Sequence, residues 1–326
     1  MRRRDFITGL VGAAACQPAA RAQQAAVPVI WVVGTTFPDA QARVVSGLRS
    51  GLIEGGFREG QNLSLEFVWA NGVLERLPSL VADLSRRQPA LIVAIGGPQS
   101  ALAAKGATAT IPIIFAAGGD AVDLGIVKSL NRPGGNATGV NYMNTRLEPK
   151  RLQLLHDLAP AAGLTGVLVN PRVADSKRQL DDLTKTARAI GMQLVVQQAA
   201  SEREIEFAFV NFAQRGVGAL LVASNVSFIG WRDRIAALAA NQKLPAVYAY
   251  REFAEAGGLM SYGPDLYEVG RQLGVYAGRT LKGEKPADLP VIQPAKFEFV
   301  INLKTANALG VVIPPGVLAI ADEVIE

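Results

Sequence analysis

The stretch Leu91-Ile92-Val93-Ala94-Ile95-Gly96-Gly97-Pro98-Gln99-Ser100 decides the fold. Its first five residues are all apolar, with no polar residue alternating between them. A strand of that kind is buried on both faces, the condition of a parallel sheet covered by helices above and below. The two glycines and the proline stop the strand, and a helix opens at Gln99 and Ser100. The unit is strand, tight turn, helix.

Outward from this stretch the unit recurs along the chain. Strands are expected at Val29–Gly34, Leu63–Trp69, Ala90–Ile95, Pro112–Ala116, Gly139–Tyr142, Thr165–Asn170, Gln193–Gln197, Ala219–Ala223, Ala246–Ala249, Gly258–Tyr262 and Lys296–Ile301. Amphipathic helices lie between them. Asp39–Glu54 puts Val44, Leu48 and Leu52 on one face and stops at Gly55-Gly56. Leu74–Arg87 carries Leu77, Leu80, Val81 and Leu84, and Asp265–Lys282 carries Leu266, Val269, Leu273 and Tyr276. Leu63–Trp69 alternates instead, as a strand nearer a sheet edge does. About eleven strands are many for one open sheet. The pattern predicts an α/β protein of two doubly wound lobes with parallel sheets. The break is expected near the turn-rich segment Asn131-Arg132-Pro133-Gly134-Gly135-Asn136.

Length agrees, since 326 residues supply two domains at about 150 each. With 49% hydrophobic and 19% charged residues the chain has ample core material and is not a disordered one. The net charge of +5 invites a nucleic-acid reading. Four of the arginines and one aspartate lie in the first 22 residues, however, so the rest carries about +2. No basic stripe interleaved with aromatics follows, and nucleic acid is not expected as a partner. One cysteine, Cys16, and one histidine, His156, exclude an intrachain disulfide and zinc sites built on several cysteines. His156 lies in the run 152–158, which reads as an amphipathic helix and not as the seat of a catalytic base. No metal, cofactor or catalytic residue is expected.

The N-terminus has the layout of an export signal. Arg2, Arg3 and Arg4 precede the apolar stretch from Phe6 to Cys16, followed by Ala20-Arg21-Ala22. Cleavage is expected after Ala22, which makes residues 1–22 a removable segment and the remainder periplasmic. Arg3-Arg4-Asp5-Phe6-Ile7 resembles a twin-arginine signal. The apolar stretch is shorter than the roughly 20 residues that span a bilayer, so no stable membrane insertion is expected.

In open α/β sheets ligands bind beyond the carboxyl ends of the strands. Those positions hold Thr35, Thr36 and Phe37; Gly97, Pro98, Gln99 and Ser100; Gly119 and Asp120; Asn141; Asn170; Asn225; Tyr248 and Arg251. These small, amide, hydroxyl and aromatic groups suit hydrogen bonding and stacking more than bond cleavage. Gly96–Ser100 is either an anion-holding helix start or an ordinary strand-to-helix turn. Asn225 is a ligand contact or a helix cap, and Arg251 an anion partner or a solvated helix start. Phe37, Tyr248, Tyr250 and Tyr262 lie near strand ends, as stacking groups or as packing. No dinucleotide fingerprint, P-loop, HExxH or GxSxG elbow is present. Asp175–Arg188 reads as a charged, solvated helix.

Several motifs together resemble a known family. They are Ile111–Ala116 with Gly119-Asp120, Arg132–Gly139, Lys150–Leu155, Leu244–Tyr248, Arg251-Glu252-Phe253, Ala256–Asp265, Lys296–Ala306, and the ending Ile313–Pro315 with Ala321–Glu326. Spread over nearly the whole chain, they are similar to bacterial ABC-transporter substrate-binding proteins of the tryptophan/tyrosine type, with a type I periplasmic-binding fold. The resemblance implies two lobes, 27–140 plus 264–292 and 141–263 plus 296–326, joined near Thr138–Asn144, Gly263–Asp265 and Val291–Lys296. It implies a ligand cleft between them, with a ligand carboxylate at Gly97–Ser100 and Asn170 and Asn225 approaching from the other lobe. The chain departs from the pattern at Gly96-Gly97-Pro98, where relatives commonly carry Gly-Thr-Pro, and at Gly119-Asp120-Ala121-Val122, where they often carry Gly-Asp-Pro-Val.

The expectation is an exported receptor that captures a small organic ligand, of the amino-acid or aromatic/carboxylic-acid kind, by hinge closure. Its partner would be an ABC permease. The alternatives are an exported sensor module for a signalling receptor, and an enzyme on the same scaffold.

Overall fold

The structure, a computed structural model, describes residues 27–294 and 296–326. The expected export segment, its cleavage point and Cys16 lie outside the described residues. The first lobe runs β1 (Val29–Gly34), α1 (Ala42–Glu54), β2 (Ser64–Trp69), α2 (Leu77–Arg86), β3 (Leu91–Ile95), α3 (Pro98–Ala107), β4 (Ile113–Ala117) and β5 (Ala137–Asn141). The second runs α4 (Glu148–Leu158), β6 (Leu164–Val169), α5 (Ser176–Ala189), β7 (Gln193–Gln198), α6 (Glu202–Gln214), β8 (Ala219–Val222), α7 (Val226–Ile229), α8 (Arg232–Asn241), β9 (Ala246–Tyr248), α9 (Arg251–Glu255) and β10 (Met260–Pro264). The chain then returns to the first lobe with α10 (Leu266–Leu281). It ends in the second with β11 (Phe297–Asn302), α11 (Leu303–Leu309), α12 (Pro315–Leu318) and β12 (Glu323–Ile325).

The first sheet has the order β2-β1-β3-β4-β5 and is parallel throughout. β3 and β4 are fully buried along their length, as apolar central strands should be. The alternating β2 lies at the edge. The sheet does not stop at the turn over 131–136: β5 follows that turn and pairs with β4, so the chain leaves the lobe only after Asn141. The second sheet has the order β12-β11-β10-β9-β8-β6-β7. One expectation is corrected here, because β10 and β11 are antiparallel. They are joined through α10, which sits on the other lobe, so β11 enters from the hinge end and runs back along β10. β12, which pairs with β11, was not anticipated; three residues with Glu323 at their start give no periodic signal.

α1 and α10 meet through glycines. A Cβ on Gly47 would stand 2.0 Å from the Tyr267 carbonyl oxygen, and one on Gly274 2.2 Å from that of Leu48. Backbone thus approaches backbone, and Val44, Leu48 and Leu52 pack against Val269 and Leu273 over one face of the first sheet. α2 and α3 cover the other face through Leu77, Val81, Leu84, Ala101 and Ala104. Three connections join the lobes: residues after Asn141, the Pro264-to-Leu266 step, and the segment around Ile292. Ile292 is held to β5 by two backbone hydrogen bonds, Asn141 N to Ile292 O at 2.8 Å and Ile292 N to Gly139 O at 2.9 Å.

Candidate ligand-binding site

The carboxyl ends of strands from both sheets face one another across a cavity of about 50 Å³. That is room for a few waters. Sheet order places β3 at the centre of its floor and β8 at the centre of its roof.

The floor is shaped by glycine at the end of β3. Gly96 has φ +83° and lies where a Cβ would be 2.4 Å from Thr35 Oγ1; Gly97 has φ +117°. Both conformations disfavour other residues. Thr35 donates to the Gly96 carbonyl at 2.5 Å, and Ser100 donates back to the Gly97 carbonyl at 2.8 Å. Pro98 then opens α3 at a position where its missing N–H costs nothing. The first N–H groups of the helix have no intrahelical acceptor, and the cavity-lining Gly97, Pro98 and Gln99 put the positive end of the helix dipole at the floor. The Gln99 side-chain amide Nε2 beside them is buried without a partner.

The roof carries charge of both signs, since Arg172 and Asp175 both line the cavity. Asp175, just before α5, has a buried Oδ2 with no hydrogen-bond partner. That oxygen would be 2.6 Å from a Cβ on Gly119, so only glycine at 119 lets the carboxylate of one lobe reach the other. Burial raises the Asp175 carboxyl above its ordinary value, and backbone hydrogen bonding, the nearby Thr145 and the charge of Arg178 only partly oppose this. Tyr142 and Tyr250 also line the cavity, and burial pushes both phenols upward, so both stay neutral. Trp231 adds an aromatic wall.

Beneath the roof lies a buried polar network. Glu148 and Arg151, both with no exposed side-chain surface, form an ion pair at 3.2 Å. Glu148 Oε1 accepts from Ser224 N at 2.6 Å and from Gln179 Nε2 at 2.7 Å. Arg151 Nε donates to the Tyr262 carbonyl at 2.7 Å, and its guanidinium also holds Asn144. Asn144 Nδ2 donates to Ser224 Oγ at 2.7 Å, and that hydroxyl lies 3.3 Å from the Tyr250 phenol. The network ties the interlobe segment at Asn144 to the cavity wall.

Of the residues anticipated from sequence, Thr35, Gly96, Gly97, Pro98, Gln99, Gly119, Asn170, Asn225 and Tyr250 border the cavity. Asn170 and Asn225 also serve their own loops, accepting from Arg172 N at 3.0 Å and Ser227 N at 2.8 Å. The others are placed elsewhere and are corrected here. Ser100 is fully buried, its hydroxyl turned back on Gly97. Thr36 is buried off the wall, and Phe37 is 43% exposed and lies against Gly230 of the second lobe. Asp120 caps the following turn and pairs with Arg146 at 2.6 Å. Asn141 lies under the floor, accepting from Ala121 N at 3.0 Å and donating to Ala117 O at 3.0 Å. Tyr248 is in the core, stacked on Phe253 at 4.6 Å. Arg251 is consumed by Glu255 at 2.9 Å, Glu298, and Glu323 at 2.8 Å.

Asp175, Tyr142, Thr145 and Trp231 were missed. Asp175 starts a charged helix that reads as solvated, and only the facing Gly119 makes it a cavity residue. Among the described residues no group of three or more His, Cys, Asp or Glu side chains could hold a metal ion, and no helix is long and apolar enough to cross a membrane.

Comparison with known proteins agrees with this architecture. Residues 28–325 match the family described as ABC transporter substrate binding protein. A tyrosine-binding protein of Clostridioides difficile (strain R20291) is 30% identical over 264 residues, covering 81% of this chain and 75% of the relative. The crystal structure of an ABC domain from Streptococcus pneumoniae in complex with L-Trp superposes with a TM-score of 0.82 at 26% identity, over 91% of this chain and 99% of that one. A ligand-free, open structure of a substrate binding protein with adhesive properties from Clostridium difficile reaches 0.65 at the same 26% identity, over 92% and 99%. With a family match over nearly its whole described length and the two-lobed architecture that goes with it, the chain belongs to the ABC transporter substrate binding protein family.

Proposed function

We propose that the protein is an exported solute receptor of an ABC importer and that its solute is an aromatic α-amino acid, captured by closure of the two lobes. The observation that carries the solute class is the polarity of the cavity. One wall offers the unbonded N–H groups of α3 and the orphaned amide of Gln99. The opposite wall offers the orphaned carboxylate oxygen of Asp175. A zwitterion satisfies both at once: its carboxylate at the helix start and its ammonium on Asp175, a charge-assisted bond. Trp231, Tyr142 and Tyr250 supply aromatic surface for the side chain. The tyrosine-binding relative and the L-Trp complex support the same class.

Capture needs the lobes to separate, since the residues that would hold the solute sit at strand ends of both lobes that face one another. Binding then favours the closed form by its greater affinity for it, and the permease reads that form. The reading needs no catalysis. Ser224 is bonded to Asn144 and Tyr250 and not to a general base. The layout of residues 1–22 supports export, cleavage after Ala22 and a periplasmic location.

The test is a thermal-shift screen on protein unfolded and refolded to remove any carried ligand. L-Tryptophan, L-tyrosine and L-phenylalanine are compared with indole-3-propionate, short aliphatic acids, sugars and purines. A binding amino acid at about 100 times its dissociation constant should add about 2.7 kcal/mol, while its des-amino analogue adds far less. Stabilisation by a sugar or purine and by no amino acid would overturn the solute class.

A further inference from the structure

Among the described residues, and apart from the Arg146–Asp120 pair at the connecting segment, two sets of ion pairs link a helix of one lobe to the other lobe without touching the cavity. Arg43 of α1 reaches Glu255 of α9 at 2.7 Å and Glu252 at 3.4 Å. Arg178 of α5 pairs with Asp123, in the loop after β4. Sheet order fixes where these pairs stand. In the first lobe β1, which leads into α1, and β4 lie on either side of β3; in the second β9 and β6 lie on either side of β8. The cavity is centred on the ends of β3 and β8, so one pair stands on each flank. Neither pair lies within a lobe, so neither is needed to fold one.

We propose that these pairs form an electrostatic latch for the closed lobes, so that Arg43 and Arg178 set solute affinity without touching the solute. The latch rests on the two-lobe capture reading but not on the solute class. The flanks are unequal. Arg178 and Asp123 have side chains 48% and 61% exposed, a pair that salt screens readily. Glu252 is only 14% exposed, and burial raises its carboxyl while Arg43 draws it down. Glu255 also accepts from Arg251, which places Arg43 at the end of a chain of alternating charges. An exposed pair contributes up to about 1 kcal/mol, equivalent to about a fivefold change in the closed-to-open ratio.

The experiment reads the interlobe distance with no ligand present. Cys16 is the only cysteine, so the full chain with Cys16→Ser accepts nitroxide labels at Glu75→Cys and Glu202→Cys alone. These exposed positions lie one residue after the cavity-lining Leu74 of the first lobe and two after Ala200 of the second. Double electron–electron resonance should show a short-distance component at about 20 mM salt that shrinks by 0.5 M as the Debye length falls from roughly 20 Å to about 4 Å. Arg178→Asp should reduce that component about fivefold, and the swap Arg178→Asp with Asp123→Arg should restore it. Arg43→Glu should reduce it likewise. Absence of the short component in the parent chain, or a distribution unmoved by both reversals, would overturn the latch. A flat solute screen with an intact latch response would instead reject only the solute class.

Discussion

Asp175 is a residue that the fold holds at a cost. Its carboxyl is raised by burial, so the folded chain binds a proton there more tightly than the unfolded chain does. Stability therefore falls as pH rises from the ordinary carboxyl range through the raised value, and the full penalty is present above it. Asp175→Asn removes that penalty. The variant should melt higher than the parent near neutral pH, with the difference vanishing in acid, as calorimetry across pH would show. The same change should weaken an α-amino acid about 10- to 100-fold, the cost of losing a hydrogen bond to a charged group, and leave des-amino analogues little affected. Parent affinity should itself decline as pH falls through the raised Asp175 value. A variant that bound amino acids as tightly as the parent would remove Asp175 from recognition. Nothing in Asp175-Ser176-Lys177-Arg178 announces this role, since the run reads as the polar start of an exposed helix. The role comes from Gly119, 56 positions earlier in the chain, whose missing side chain leaves space for the carboxylate.

At the scale of elements, the pairing of α1 with α10 shows what periodicity conveys and what it omits. Both helices were legible from Val44, Leu48 and Leu52 and from Val269, Leu273 and Tyr276, which bury one face of each. Their glycines carried no periodic signal, yet Gly47, Gly51, Gly270 and Gly274 let two backbones touch across 200 residues of sequence. Gly47→Ala places a methyl 2.0 Å from a carbonyl oxygen and 2.7 Å from the Arg271 backbone nitrogen, neither of which is a flexible side chain. The helices must separate, at about 1–3 kcal/mol or more, despite the better helix propensity of alanine. Gly106→Ala, where nothing lies within 4 Å, is the control and should be neutral or slightly stabilising. Urea denaturation of the two variants checks the contrast. β12 marks the opposite limit. Its three residues were invisible because a short edge strand is defined by the partner it finds on β11.

At the scale of the molecule, lobe separation is the step on which capture depends. Small-angle scattering of the refolded, ligand-free chain should give a radius of gyration larger than that of the arrangement described here, and an amino acid that stabilises the protein should lower it. No change on adding such a solute would remove closure from the mechanism. By itself the sequence determined the elements, their alternation and the two-lobed class, because these follow from local periodicity and from glycine and proline at fixed positions in runs such as Leu91–Ser100. It also brought nine cavity residues into view, because the ends of parallel strands are local features. Which strand ends face the cavity was decided only in three dimensions. Tyr248 ends a strand and Arg251 follows one, as Asn225 does, yet Tyr248 is stacked in the core and Arg251 is consumed by three carboxylates from separate segments. Opposition of Asp175 to Gly119, the backbone contact of α1 with α10, and the ion pairs flanking the cavity are likewise tertiary. Each joins residues far apart in the chain, and the energy of such a contact depends on a distance that only the packed fold sets.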